Sequence, residues 1–361
     1  MTAPGPRPDH RAAPARTGLV RSLGVPTLVF FGLAYMVPMT VFTTYGIVNE
    51  VTGGFLASAY VITLAAMLFT ACSYAFLGRR IRSAGSAYAY AREGLGGSAG
   101  FLTGWTVMID YILLPMLNYL LIGLYLSERF PQVPAWVFSM LALVLVTALN
   151  IIGITVVKSA NVVLLVLQIV LFLVFFAFAS RAFDPDTGPL DPFLRSDFSL
   201  PAVVAGSAVL CLSFLDFDAI STMAEEAKRP TRSIPIAVIL TTVIGGFFFI
   251  SISWFAHMAS PDVVTGDGAD VAALAMLASL GGEVLTALFL AAYVTGALGS
   301  ALASQASVAR ILFAMGRDGV LPRSLFGALS QRFRTPVGAI LVVAVVSISA
   351  VFADVDFVAS I

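Results

Sequence analysis

The sequence predicts an all-α integral membrane protein, and three observations lead there: its composition, the length of its apolar runs, and the placement of its basic residues. Of 361 residues, 59% are hydrophobic and 11% are charged, and the mean hydropathy is +0.96. A soluble domain averages about 45–50% apolar and about 25% charged residues. Because a water-soluble core of this length cannot enclose so much apolar surface, lipid must be the solvent for most of the chain.

Nine apolar runs are long enough to cross a bilayer, which takes about 20 residues of α-helix. Their hydrophobicity is continuous rather than alternating, which predicts helices. The predicted spans are 26–48, 55–77, 100–126, 135–154, 161–180, 201–223, 236–258, 284–309 and 337–353.

The basic residues divide unevenly between the two sides of the membrane that these spans define. The N-terminal tail and the even-numbered loops carry 17 Lys and Arg residues, among them Lys158 in the fourth loop, and the other loops carry 3. Short cytoplasmic loops hold the excess of positive charge. The split predicts a cytoplasmic N-terminus, with residues 1–24 forming a disordered cytoplasmic tail.

Several classes of protein are disfavoured by what the chain lacks. Cys72 and Cys211 lie inside apolar runs and offer neither a disulfide framework nor metal-ligand spacing. His10 and His257 stand far apart, and no nucleophile–base pair is evident. The net charge is zero, so no bulk attraction toward nucleic acid exists. We therefore expect no enzyme, no cofactor and no metal site.

Three acidic residues inside the predicted spans are the strongest candidates for function. Asp110 lies in the third span, and Asp216 and Asp218 lie in the sixth. A carboxylate at mid-bilayer costs about 2.5–3.5 kcal/mol on insertion scales and is a functional candidate by default. No Lys or Arg lies in the middle of a span to neutralise them. The sequence favours a cation brought in from outside, and the alternative is a protonated or hydrogen-bonded structural role.

Two spans also carry signals of interruption. Pro38 lies within Gly32–Phe42, GLAYMVPMTVF, and a proline kinks or breaks a helix because it lacks an N–H and crowds the preceding turn. Interrupted spans at matching positions of two halves are the best sequence indication of a transporter's binding site. Here the pair is spans one and six.

Several stretches of the chain resemble one family in order. The stretches are GLAYMVPMTVFTTYGIV (32–48), AGSAYAY (84–90), Gly104-Trp105 through Asp110-Tyr111 and Leu114-Pro115, SFLDFDA (213–219) with EEAKRP (225–230), and ASQAS (303–307) with MGRD (315–318). Together they resemble the amino acid–polyamine–organocation superfamily, and within it the bacterial putrescine importers. The resemblance covers nearly the whole chain from Leu23.

The resemblance implies the leucine-transporter-type fold, in which two inverted repeats of five helices surround a central site. It assigns residues 25–200 to the first repeat and 201–361 to a second repeat holding spans six to nine and the start of span ten. With the second repeat incomplete, residues 1–361 alone are not expected to transport. The residues that it nominates for substrate binding are Pro38, Met39, Thr40, Val41, Phe42, Asp110, Phe214, Asp216, Phe217 and Asp218.

The chain departs from the family pattern at two positions. The family usually has glycine where this chain has Asp216, which predicts a less complete break in span six. The putrescine importers are expected to have an acidic residue where this chain has Thr43. One carboxylate is thus lost from span one and another gained in span six, which leaves the substrate open.

The leading hypothesis is a multi-pass transporter of a bacterial inner membrane that imports a small amine, most plausibly putrescine, and is driven by protons. Phe42, Phe214 and Phe217 are candidates for cation–π contact or for ordinary packing. An amino acid permease of the same superfamily is the alternative, and a membrane sensor or channel is a third hypothesis. An α-amino acid is disfavoured because Pro38 and Met39 make a poor cradle for its carboxylate.

The first testable prediction concerns topology. Single cysteines placed beside Arg80, Arg229 and Arg323 in a cysteine-free background should be protected from an impermeant reagent in intact cells. Cysteines beside Asp191 and Asp267 should react, because their loops lie on the side with few basic residues. Labelling beside Arg229 from outside would reverse the predicted orientation.

Overall fold

The computed structural model describes residue 19 and residues 21–262 and 272–351, and this part of the chain folds almost entirely into helices. The α-helices are α1 (Val25–Met36), α2 (Thr40–Thr52), α3 (Leu56–Arg80), α4 (Ser86–Leu95), α5 (Gly97–Arg129), α6 (Ala135–Ile152), α7 (Ile154–Arg181), α8 (Leu200–Leu210), α9 (Pro230–Ala259), α10 (Ala272–Arg317), α11 (Arg323–Phe326) and α12 (Val337–Val351). Two 3₁₀ segments, Cys211–Phe214 and Phe217–Met223, continue the chain after α8.

The predicted spans are found as apolar helices in the described residues. Seven segments are long and apolar enough to cross a membrane: α3, α5, α6, α7, the stretch from α8 through Met223, α9 and α10. The helices α1 and α2 form a bent pair that counts as one further span, and α12 is a shorter apolar helix. The all-helical membrane fold is confirmed. The start of span ten lies outside the described residues, and the division of the chain into repeats stays a prediction.

The fourth loop differs from the prediction. Helix α6 ends at Ile152 and α7 begins at Ile154, so a single residue separates two spans. That residue is Gly153, whose φ of 124° is a conformation that side chains rarely allow. Lys158 therefore lies in the second turn of α7 and not in a loop. The sequence alone placed the start of this span too late because Lys158, Ser159 and Asn161 interrupt the apolar run in the second turn of α7.

A close approach at Gly32 brings the two interrupted spans together. A Cβ atom at this position of α1 would lie 2.6 Å from Cδ1 of Ile220, in the second 3₁₀ segment of span six. Small residues at membrane helix contacts allow backbones to pack closely, because association in lipid relies on packing and not on the hydrophobic effect. Gly32 therefore lets span one rest directly on span six.

The start of span one is also tied to the loop after span six by backbone hydrogen bonds. Ser22 N and Leu23 N donate to Glu226 O at 2.9 and 3.0 Å, and Lys228 N donates to Leu23 O at 2.9 Å. Leu23 and Ala227 pair as an isolated parallel bridge. We call this pairing the N-terminal strap. It joins the two interrupted spans at the end of the bundle that carries most of the basic residues, which we call the basic end.

Ion pairs reinforce the basic end. Arg310 of α10 donates from Nε and Nη2 to the two carboxylate oxygens of Glu226, both at 2.9 Å. The two side chains are 4% and 2% exposed. Arg317 pairs with Glu225 at 2.9 Å, and Arg92 of α4 pairs with Asp318 after α10. Spans one, six and eight thus meet around a buried bidentate pair.

The second testable prediction follows from this buried pair. Glu226→Gln leaves the Arg310 guanidinium buried without a counter-charge, which should lower the free energy of unfolding by about 3–5 kcal/mol. The melting temperature in detergent measures this loss. Changing both residues to Met should restore much of the stability, since apolar replacement of a buried pair is often neutral.

The matched control is the exposed pair between Arg195 and Asp197, whose side chains are 33% and 57% exposed. Asp197→Asn should leave the melting temperature unchanged because water screens this pair. Wild-type melting of the Glu226→Gln variant would show that the Arg310 charge is solvated and that the pair does not hold the basic end together.

Candidate functional site

Span one is interrupted immediately before Pro38. Helix α1 ends at Met36, and Val37 adopts a left-handed conformation with φ 43° and ψ 83°. Positive φ is an outlier for a β-branched residue, and such strain clusters at functional sites. The chain turns through Pro38 and Met39 and resumes as α2 at Thr40, bent by 51° from α1. The predicted break in span one is confirmed.

The nominated residues of this break are enclosed by the protein. Pro38, Met39 and Val41 are buried and Thr40 is half-buried. The Thr40 hydroxyl has no hydrogen-bond partner among the described residues. Thr43, where an acidic residue was expected, is exposed and donates to Thr40 O at 2.8 Å.

Span six is interrupted at Asp216. The chain leaves α8 through a 3₁₀ turn, and Leu215 is extended with ψ 158°. Asp216 then adopts φ 77°, and a second 3₁₀ segment begins at Phe217. Span six is thus interrupted, and the expectation that its break is less complete than in other family members stays a prediction. Asp and Asn tolerate the left-handed region better than other non-glycine residues, so Asp216 can adopt this conformation and adds a carboxylate.

The sequence did not predict that one of the carboxylates is held by tyrosine side chains. The Tyr111 hydroxyl, on α5, donates to Asp218 Oδ2 at 2.8 Å. Tyr74 of α3 approaches the same carboxylate and packs its ring edge-on against Phe217 at 5.9 Å. Asp218 is half-buried. Its carboxylate is therefore fixed between three spans.

The other two carboxylates have no such partner. Asp216 is 9% exposed and Asp110 is exposed, and no hydrogen bond or ion pair to either side chain is found within residues 21–262 and 272–351. Asp110 directly precedes Tyr111, whose hydroxyl donates to Asp218. We call Asp110, Asp216 and Asp218 the acidic cluster. Two of its carboxylates lie at the break of span six, and the third lies on the neighbouring helix α5.

A tyrosine of span one lies beside this cluster. Tyr35, one residue before the end of α1, is 1% exposed and packs its ring edge-on against Tyr111 at 5.9 Å. Its hydroxyl has no hydrogen-bond partner in the described part of the chain. Tyr111 in turn binds Asp218, so Tyr35 is one side chain away from this carboxylate.

The nominated phenylalanines lie apart from the acidic cluster or pack against other rings. Phe42 contacts Phe175 at 5.2 Å and Phe289 at 5.3 Å. These rings and Met39 line an apolar cavity of about 20 Å³, which is room for about one water and not for an organic substrate. Phe214 is fully buried between Tyr60 and Phe249. A cation–π role for these rings stays a prediction.

The tyrosines were missed because a tyrosine in an apolar run looks like a packing residue. Tyr35, Tyr74 and Tyr111 are spread over three spans, and no spacing in the sequence relates them. The only available signal was adjacency, because Tyr111 follows Asp110 directly. Only the packing of the three helices shows that these tyrosines lie close together.

Interruptions at matching positions of spans one and six are the arrangement expected of membrane transporters with the leucine-transporter-type fold. The structure is similar to that of a Na⁺-coupled sialic acid symporter in a substrate-bound outward-open state, with a TM-score of 0.60. The match covers 92% of this chain and 74% of the symporter at 15% sequence identity. At this identity the likeness shows the fold alone.

Sequence comparisons give the family. The model of a family described as amino acid permease matches residues 27–361. The low-affinity putrescine importer PlaP of Escherichia coli is 36% identical over 353 residues, which cover 96% of this chain and 78% of the importer. The branched-chain amino acid permease BcaP of Bacillus subtilis is 26% identical over 345 residues, 90% of this chain and 73% of that permease. The chain belongs to the amino acid permease family of the amino acid–polyamine–organocation superfamily, and it is a multi-pass membrane transporter and not an enzyme.

Proposed function

We propose that this transporter imports a small diamine, putrescine or a close relative, by alternating access. The observation that carries the proposal is the acidic cluster. Asp216 and Asp218 lie at the break of span six, Asp110 lies on the neighbouring helix α5, and none of the three forms an ion pair with a described residue. Arg310 is bound to Glu226 at the basic end. The counter-charge for the cluster is therefore the substrate.

Charge balance supports coupling to protons. Enclosing an uncompensated charge in low dielectric is strongly unfavourable. Two ammonium groups and one additional cation neutralise three carboxylates. We propose that a proton is the third charge, carried by the cluster together with one diamine. A gradient of protons or of Na⁺ imposed across proteoliposomes distinguishes the two possible coupling ions.

The backbone at the break of span one argues against a substrate carboxylate. Transporters of this fold hold such a carboxylate with free N–H groups at a half-helix N-terminus. Here Pro38 has no N–H, and Thr40 N is already bonded to Val37 O at 2.9 Å. Phe42 N is likewise bonded to Met39 O at 3.0 Å. Few donors are left for an anion, and the neighbouring carboxylates would repel it.

The relatives include both kinds of substrate. The similarity to PlaP over nearly the whole chain supports a diamine, and the more distant similarity to BcaP keeps an amino acid substrate as the alternative. We further propose that the protein resides in a bacterial inner membrane with its N-terminus and basic end in the cytoplasm, on the basis of the charge asymmetry.

The third testable prediction addresses the substrate directly. Uptake of labelled putrescine into cells that express the full-length transporter should be blocked strongly by excess cadaverine. Ornithine, arginine and alanine should compete weakly, because each carries a carboxylate that the acidic cluster repels. Competition by alanine or arginine as strong as that by cadaverine would make the protein an amino acid permease instead.

The fourth testable prediction assigns the carboxylates to transport and not to folding. Asp218→Asn and Asp110→Asn keep the size of the side chain and remove its charge. Loss of one close charge pair in a partly desolvated site costs about 2–5 kcal/mol. Putrescine transport should therefore fall tenfold or more while expression and melting temperature are kept.

Asp186→Asn is the matched control, since this exposed residue in the loop between α7 and α8 undergoes the same change away from the cluster. It should transport as the wild type does. Normal transport by both cluster variants would assign Asp218 and Asp110 a structural role.

A further inference from the structure

The Tyr35 hydroxyl is a buried polar group beside the acidic cluster, and the proposed function does not yet use it. It has no hydrogen-bond partner among the described residues. A buried donor or acceptor left unsatisfied costs about 1–3 kcal/mol. A tyrosine at this position thus costs stability that a phenylalanine of the same shape would not.

The surroundings of Tyr35 differ from those of an ordinary core tyrosine. Its ring rests on Tyr111, and the Tyr111 hydroxyl is committed to Asp218 at 2.8 Å. The carboxylate of Asp216 lacks a partner in the described residues, as the Tyr35 hydroxyl does. Tyr35 comes from span one and Asp216 from span six, and these spans are in contact at Gly32 and Ile220. Tyr35 and Asp216 thus come from spans that pack directly on each other, and the side chains of both lack a hydrogen-bond partner among the described residues.

We propose that the Tyr35 hydroxyl is a substrate-binding group that accepts a hydrogen bond from an ammonium group of the amine, with Asp216 as the partner charge. An ammonium has three N–H donors and no acceptor, so it can satisfy both groups at once. Asp218, already held by Tyr111 and Tyr74, provides a fixed charge, whereas Tyr35 and Asp216 provide the vacant hydrogen-bonding positions. This inference rests on the proposed amine substrate and adds a residue to its site.

The position of Tyr35 in the helix suits this role. Only Met36 separates it from Val37, the left-handed residue at the break. A small backbone change at Val37 would move the end of α1 and open the hydroxyl, which is enclosed in this conformation. Binding of an amine would then stabilise the conformation in which the amine can reach the Tyr35 hydroxyl.

The chain offers a matched control in Tyr119 of α5. It is 0% exposed, and its hydroxyl also lacks a partner in the described chain. No ring contact links Tyr119 to Tyr111 in the described residues, whereas the Tyr35 ring rests on Tyr111. Tyr35→Phe and Tyr119→Phe thus remove the same atom from equally buried sites, one beside the acidic cluster and one away from it.

The test measures two quantities for the purified wild type and both variants: the melting temperature without ligand and the dissociation constant for putrescine. Removal of an unpaired hydroxyl should leave both variants at least as stable as the wild type. Tyr35→Phe should weaken putrescine binding about tenfold, because hydrogen bonds to charged groups are the stronger kind. Tyr119→Phe should bind putrescine as the wild type does.

The outcomes separate the two proposals. If the wild type does not bind putrescine, the proposed function fails. If the wild type binds and Tyr35→Phe binds equally well, the role of Tyr35 is wrong and the proposed function stands. A lower melting temperature for Tyr35→Phe without loss of affinity would show that the hydroxyl has a structural partner, and equal losses in both tyrosine variants would show a general effect of packing. Either result overturns the inference.

Discussion

The architecture depends on one constraint, that a lipid interior offers no hydrogen bonds to the backbone. A spanning helix satisfies its own backbone, but an interrupted one does not, so each interruption must be enclosed by protein. In this chain Val37, Pro38 and Met39 of one interruption and Asp216 of the other are buried, and the spans that carry them are in contact at Gly32 and Ile220. The N-terminal strap joins the same two spans. Tyr35 of span one packs against Tyr111, which binds Asp218 at the break of span six.

Paired and unpaired charges lie in different parts of the bundle. At the basic end, bidentate and buried contacts such as Glu226–Arg310 join parts of the chain through charges that are fully matched. At the breaks, charges of one sign are left unmatched. Paired charges stabilise the conformation of the protein, and unpaired charges are available to bind a ligand. The stability of the fold and the specificity for a ligand therefore depend on different residues. The aromatic group around Phe42, Phe175 and Phe289 is apolar and contributes neither kind of charge.

The sequence was sufficient for the spans and for the identity of the charged candidates. Long apolar runs and the high cost of carboxylates in lipid make both visible without any knowledge of contacts. The sequence does not show which helix faces pack against each other. Tyr35, Tyr74 and Tyr111 look like packing residues until three spans are assembled. The one-residue loop at Gly153 and the turn at Asp216 both depend on a positive φ, which the hydrophobic pattern does not encode.

The N-terminal strap has a consequence for how the protein is made. Its two partners are Leu23 and the segment from Glu226 to Lys228, so the ribosome must translate six spans before the first can be fastened. Span one contains the strained Val37 and a polar break. It therefore lies in the membrane without the N-terminal strap while spans two to five are inserted. The first half of the chain can reach its final arrangement only after the loop behind span six emerges, and biosynthesis of this transporter is consequently a single event and not the sequential folding of two independent halves.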